Sequence, residues 1–260
     1  MIGACLTADL YDRLAPYYDV INASQTADLA MYLALAQEAA GAVLVLGCGS
    51  GRVVAPLAQA GREVVGLDNS AAMLDRAQQR LNFLSLHAEL IAGDMTDFDL
   101  GRQFGLILVP FNAWMHLTDH QSQDSALRCI AAHLTPGGRL IIDIPAPATI
   151  VEADHDRALT LEGIFDLPET AETLLQFAST DLDAERQCLH VTWIYDRVSQ
   201  TGALHRTVVP MKLKYVFPTQ VEPLLCQAGL RLGHLWGDYR RTPHTPGAER
   251  LVIVGIKTVT

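Results

Sequence analysis

For its first 145 residues the chain alternates short apolar runs with amphipathic stretches, and then its pattern changes. Val43 to Leu46 is an unbroken apolar run; Glu63 to Leu67 reads EVVGL, Leu90 to Gly93 reads LIAG, and Phe104 to Val109 reads FGLILV. Short runs rich in Val, Ile and Leu, bounded by Gly, Asp and Asn, predict buried strands. Between them, Arg52 to Ala60, Ala71 to Leu81 and Gln121 to Leu134 carry apolar residues at helical spacing, with Leu127, Ile130, Ala131 and Leu134 on one stripe of the last. Ser70 is placed to cap the second of these helices, and Pro56 predicts a local irregularity near the start of the first. Pro136-Gly-Gly138 then turns the chain into a fifth strand ending at Asp143. Strands alternating with helices imply a mostly parallel sheet covered on both faces.

After Pro145 the helical spacing disappears. Leu159 to Phe165, Thr173 to Thr180, Cys188 to Arg197 and His205 to Phe217 read as successive strands, with a hairpin signal at Gln200-Thr-Gly-Ala203. They predict a small antiparallel sheet. Pro218 then opens a helix over Thr219 to Ala228, closed by Gly229. Two last strands, Arg231 to Tyr239 and Arg250 to Lys257, complete the main sheet as an antiparallel hairpin. At the other end, Leu10 to Val20 and Ala27 to Ala40 read as helices, the first interrupted at Pro16.

The chemistry gathers at the predicted strand ends. Val43 to Gly51 reads VLVLGCGSG, a strand running into glycines at 47, 49 and 51. Glycine serves where the backbone needs positive φ or a ligand comes close, and the following helix offers free N–H groups. Asp68 closes the second strand, placed to accept both hydroxyls of a ribose. Asp94-Met95 closes the third, where the acid can accept an adenine amino group and the methionine can pack on the ring. Gly47, Asp68, Asp94 and Phe111 all fall at carboxyl ends of strands, where ligands sit in such sheets. The Gly-x-Gly-x-Gly spacing lacks the spacer of the dinucleotide fingerprint, with Arg52 in its place, which argues against NAD.

This ordered set, over roughly Tyr11 to Pro145, resembles the class I S-adenosylmethionine (SAM) dependent methyltransferases. The stretches Gly93 to Phe104 and Phe111 to Leu117 are similar to their small-molecule branch, which includes the N,N-dimethyltransferases of amino-sugar biosynthesis. The resemblance implies an α/β fold: a Rossmann-like seven-stranded methyltransferase sheet with an inserted small antiparallel β-sheet. Residues 1–40 would form an N-terminal helical lid, 41–148 and 217–260 the SAM-binding domain, and 149–216 the inserted sheet. SAM would be held by Tyr11, Arg13, Gly47, Cys48, Gly49, Gly51, Asp68, Asn69, Met73, Asp94, Met95 and Phe111. A small-molecule acceptor would face Tyr17, Asn112 and Trp114, with His116 and Tyr18 as the catalytic pair beside its amine. Asn112 and Trp114 depart from that branch, which has smaller or aliphatic residues there. N-methylation is the leading reading; a small-molecule O-methyltransferase and a SAM-binding protein without catalysis are the alternatives.

Composition narrows the partners. Of 260 residues half are hydrophobic, enough for a sizeable core, and the net charge is −10. That charge argues against nucleic acid, as does Val109-Pro-Phe-Asn112 where base-amine methyltransferases carry an Asn/Asp-Pro-Pro-aromatic run. No run of apolar residues reaches membrane-spanning length, and the first residues lack a basic segment, so neither a membrane span nor a secretion signal is expected and the location read is cytoplasmic. The five cysteines, Cys5, Cys48, Cys129, Cys188 and Cys226, are odd in number and widely spaced, without a disulfide framework or a zinc pattern. Cys48 reads as a small residue fitting a crowded turn. No acid pair follows the fourth strand, so no metal is expected. The oligomeric state is open, with a homodimer as the candidate.

Overall fold

Two helices, α1 (Ile2–Ile21) and α2 (Leu29–Glu38), precede the first strand. The chain then alternates β1 (Val43–Leu46), α3 (Val54–Gln59), β2 (Val64–Asp68), α4 (Ala71–Phe83), β3 (Glu89–Ala92) and β4 (Phe104–Val109). A 3₁₀ turn, Ala113–His116, leads to α5 (His120–His133), β5 (Leu134–Pro145) and the short α6 (Pro147–Val151). Four long strands follow, β6 (Thr160–Leu167), β7 (Glu172–Asp183), β8 (Cys188–Val198) and β9 (Leu204–Lys214). The chain closes with α7 (Pro218–Gln227), β10 (Leu230–Trp236) and β11 (Arg250–Lys257). This computed structural model describes residues 2–167 and 170–258, with side chains from residue 9 onward.

The main sheet has seven strands in the order β10-β11-β5-β4-β1-β2-β3. β1 to β5 are parallel to their neighbours in this group, while β11 runs antiparallel to both β5 and β10. β6 to β9 form a separate four-stranded antiparallel sheet in chain order. The fold expected from the alternation of patterns is therefore the fold observed. β1 lies between β4 and β2, and its unbroken apolar run follows from burial on both faces. Leu44 and Leu46 join Ile107, Ile142 and the α5 stripe on one side; Val43 and Val45 join Leu106, Ile141 and α2–α3 on the other. A third cluster packs Leu14 and Tyr17 of α1 against Leu174, Tyr195, Val209 and Met211 of the four-stranded sheet. That contact holds α1 over the carboxyl ends of the parallel strands.

Local expectations at two prolines are corrected. α1 continues through Pro16 instead of breaking there. The lost backbone bond is tolerated because Leu14 and Tyr17 are anchored on one flank, and on the other Arg76 Nη2 donates to the Pro16 carbonyl at 3.1 Å. α3 starts at Val54, after the turn in which Gly51 N donates to Cys48 O at 3.0 Å. Pro56 thus falls in the first helical turn, where its missing N–H has no intrahelical partner to lose. Ser70 caps α4 as its position predicts, its Oγ accepting from Met73 N at 3.1 Å.

No described helix is long and apolar enough to cross a membrane. Among the described side chains Cys48, Cys129, Cys188 and Cys226 are free thiols; the side chain of Cys5 lies outside the described residues.

Candidate functional site

The glycines at the end of β1 all adopt left-handed backbone, with φ of 65° at Gly47, 53° at Gly49 and 79° at Gly51. A Cβ on Gly47 would stand 2.8 Å from the Ala113 Cβ and 3.5 Å from Met95 Cε. The ends of β1, β3 and β4 therefore converge at this residue. Over Gly49 the space is open. Asp68, at the end of β2, ties the turn together: Oδ2 accepts from Gly49 N at 2.7 Å and Oδ1 from Ser70 N at 2.9 Å. Burial pushes its pKa up, opposed by these backbone donors. A carboxylate has about four acceptor positions, so capacity remains beyond these backbone donors for a ligand's hydroxyl. Asp94 spends Oδ1 on the N–H and hydroxyl of Thr96, both at 2.8 Å. Asn69 is exposed and Met95 half-buried at the rim. A strained open turn, a ring of acceptors and a flanking methionine fit a nucleoside with an amino-purine base.

Two neighbours expected at the cofactor are packing residues. Met73 is 1% exposed, its side chain buried under α4. Cys48 is buried against the sheet, since a Cβ on Gly66 would meet its Sγ at 2.9 Å. Burial holds its thiol well above the ordinary range, and it fills the crowded turn as its size suggests.

α1 roofs the turn. Asp12 Oδ1 accepts from Ser70 Oγ at 2.6 Å and from Ala72 N at 3.2 Å, reinforcing the start of α4. Two turns on, Asp19 accepts from Ser50 Oγ and from Arg76 and Arg80. Beside these ties Tyr11 and Tyr18 project from the same face, their rings 6.2 Å apart. The Tyr11 hydroxyl lies 2.8 Å from His116 Nε2, with the two rings edge to face at 5.3 Å. Burial pushes His116 down to about 4, which leaves a neutral imidazole. Burial also raises Tyr11, and it pushes Tyr18 up to about 12.

The structure redistributes several expected roles. Tyr11, expected at the cofactor, is the tyrosine at His116; Tyr18, expected there, sits farther along the helix. The two are seven residues apart and share a face, so spacing alone could not separate them. Arg13 lies on the other side of α1, pairing with Asp9 at 3.4 Å and donating to Val208 O at 3.2 Å. It does not reach the glycine turn. Tyr17 stacks on Tyr195 at 5.9 Å and 24°, joining α1 to the four-stranded sheet instead of facing an acceptor. Trp114 is 0% exposed and packs within the core around α5. Asn112 turns its Oδ1 to Arg250 Nη2 at 2.9 Å. Phe111 remains at the site, beneath the Arg52 guanidinium at 5.1 Å, and Arg52 in turn makes a two-point pair with the buried Asp28.

Sequence reasoning missed Asp12, Asp19, Asp28, Tyr195 and Arg250. Only Asp12 and Asp19 left a signal, as acids two turns apart on the face that carries Tyr11. A cavity of about 330 Å³ opens under the C-terminal half of α1, lined by Tyr18, Asp19, Arg52 and Arg80 among others. A larger one, about 520 Å³, lies beside Arg102 and His133, where β4 begins. It is remote from the strand ends and takes no part in the site.

Replacing Gly47 with alanine is expected to destabilise the protein by about 1–2 kcal/mol from the left-handed backbone alone. The added methyl also collides with Ala113. Melting curves should show the loss, and a smaller gain in melting temperature on adding S-adenosylhomocysteine than the unaltered protein shows.

Residues 43–138 match the family described as "Methyltransferase domain", a span that holds the glycine turn, Asp68, Asp94 and His116. The chain is 26% identical to the cypemycin N-terminal methyltransferase of a Streptomyces species, over 82% of this chain and 81% of that protein. It is 33% identical to the dTDP-3-amino-3,6-dideoxy-alpha-D-glucopyranose N,N-dimethyltransferase of Streptomyces fradiae, over 52% of this chain and 54% of that protein, so it spans about half the length of this relative. Among solved structures it is similar to the CcbJ methyltransferase of Streptomyces caelestis, with a TM-score of 0.75, 25% identity, and 99% of this chain and 98% of that one covered.

Proposed function

We propose that this SAM-dependent methyltransferase methylates an amine nitrogen of a small-molecule acceptor, beside the Tyr11–His116 pair. The observation that carries the reading is the low basicity of His116. A buried imidazole pushed down to about 4 is a poor base for ionising a hydroxyl before it attacks. An amine needs no ionisation. It needs only its neutral lone pair; the proton left on the methylated nitrogen is lost to solvent after the new bond has formed, so no strong base is required for the attack. One relative is named an N-terminal methyltransferase and another an N,N-dimethyltransferase of an amino sugar, and these names support the same class.

SAM supplies a methyl group already activated on a sulfonium. The chain's own part is to orient the acceptor, keep water out and take up a proton. Asp12 and Asp19 hold α1 down over the glycine turn, which closes the site to solvent. Asp68 is read as the ribose acceptor and Asp94 as the partner of the adenine amino group, with Met95 against the ring. The Tyr11 hydroxyl both donates and accepts, so its bond to His116 Nε2 survives when the imidazole gains a proton. The pair can therefore relay a proton from the acceptor nitrogen without breaking contact. Tyr18 flanks it on the same helix face.

The division of labour follows. Residues 1–40 act as the lid, 41–148 and 217–260 bind SAM, and 149–216 brace the lid through the Tyr17–Tyr195 stack. The four free thiols among the described side chains fit a reducing compartment and a cytoplasmic location. The test is a turnover screen with amino sugars, free and nucleotide-linked, peptides with free N-termini, and phenols. Release of S-adenosylhomocysteine with a methyl group on nitrogen is expected. Methylation confined to phenolic oxygen would overturn the reading.

A further inference from the structure

Beyond Val109 the chain takes an unusual path. Phe111 (φ 44°) and Asn112 (φ 68°) are consecutive left-handed residues, neither a glycine. Asparagine tolerates that region; phenylalanine does not adopt it without support. Such conformations persist only where the surroundings over-determine them.

The support comes from a buried network. The Asp143 side chain, 0% exposed, accepts at Oδ1 from Arg250 Nε (2.9 Å) and Nη2 (2.6 Å), and at Oδ2 from the hydroxyls of Tyr32 (3.0 Å) and Tyr239 (3.2 Å). The Arg250 guanidinium also lies 5.7 Å from the Tyr239 ring. It is thereby fixed in plane and position, and Nη2 also donates to Asn112 Oδ1 at 2.9 Å. The Asp143 carbonyl takes the Asn112 N–H at 2.9 Å. From Asn112 the 3₁₀ turn follows at once, Met115 N donating to Asn112 O at 2.9 Å, and its last residue is His116.

We propose that Arg250 is a positioning residue, which through Asn112 locks the turn from Pro110 to His116 and so sets the His116 imidazole against the Tyr11 hydroxyl. The bond to Asn112 is not needed to join β11 to β5, because the backbone ladder already pairs Arg250 with Pro145 and Val252 with Asp143. Its effect is on the turn. The inference rests on the reading of His116 as the proton acceptor, and it explains why an asparagine stands at 112: it accepts left-handed backbone and presents an oxygen to the guanidinium.

The test uses full-length protein, ¹⁵N-labelled at histidine and saturated with S-adenosylhomocysteine. Arg250→Met would strand the buried Asp143 charge and risks unfolding, so the main variant is Asn112→Gly. It leaves the Asp143–Arg250 pair intact, tolerates the left-handed backbone and removes the side chain that faces Arg250. The His116 resonance, identified by its loss in His116→Gln, should titrate near 4 in the unaltered protein. In Asn112→Gly it should move at least about one unit toward the ordinary value of roughly 6.5. Asn112→Asp, which keeps an oxygen facing Arg250, should restore the low midpoint. An unmoved midpoint in Asn112→Gly overturns the proposal.

Turnover with the best amine of the screen separates this inference from the reading beneath it. Asn112→Gly should lower kcat about 10-fold without changing S-adenosylhomocysteine affinity, and should add no further loss in a His116→Gln background. Additive losses would mean that the network acts elsewhere. A fully active His116→Gln would remove the base assignment, while a moved midpoint would still uphold the positional coupling.

Discussion

Asp68→Ala is expected to weaken binding of SAM and S-adenosylhomocysteine by about 10²–10⁴-fold. Hydrogen bonds to a charged acceptor contribute roughly 1.5–3 kcal/mol each, and a ribose would offer two. The same substitution also removes the links to Gly49 N and Ser70 N, at 2.7 and 2.9 Å, which set the glycine turn against the start of α4. Asp68→Asn separates the two effects. It preserves the shape and one oxygen, yet puts an NH₂ group where an acceptor is required. Affinity in this variant should fall nearly as far as in the alanine variant, with a much smaller drop in melting temperature. Calorimetric titration with S-adenosylhomocysteine measures the first quantity and thermal melting the second. Undiminished affinity in both variants would refute the ribose assignment and leave Asp68 as a brace for the turn.

Asp68 was legible in the sequence because its position depends on local pattern alone. A strand end, a glycine turn and an acid at the next strand end are each read from a few neighbouring residues, and the topology brings them together. The strands themselves were legible for the same reason, since burial on both faces leaves continuous apolar runs. What the sequence hid was rotation and long-range pairing. Helical spacing put Tyr11, Tyr17 and Tyr18 near one another but could not say which would meet His116, 105 residues from Tyr11. Trp114 and Asn112 lie in a turn with no periodicity to read, and their environments come from α5 and from Arg250, the latter 138 residues away from Asn112. Tyr195 belongs to the four-stranded sheet, whose relation to α1 is wholly tertiary. The glycine turn and its acids are thus built from local signals, and the surroundings of His116 from contacts between distant segments.

His116→Ala should keep SAM affinity but lower amine turnover, toward the lower end of the roughly 10²–10⁴-fold range of general acid–base catalysis, because so weak a base contributes less driving force. Tyr11→Phe should cost less, since the imidazole stays in place and loses only its hydroxyl partner. The pH dependence carries a second, independent signature. Burial lowers the His116 pKa from about 6.5 to about 4, so the unfolded chain binds its proton before the folded one does. Stability contributed by the neutral imidazole is fully present above roughly 6.5 and is lost as pH falls toward 4. Urea unfolding across that window should therefore show a steeper acid loss in the unaltered protein than in His116→Ala. Turnover in the unaltered enzyme should have no limb from His116 between neutrality and pH 5, and the rise with pH should follow the acceptor amine itself. A kinetic limb near 6.5 that vanishes in His116→Ala would mean that the imidazole titrates as if exposed, and the amine reading would lose its principal support.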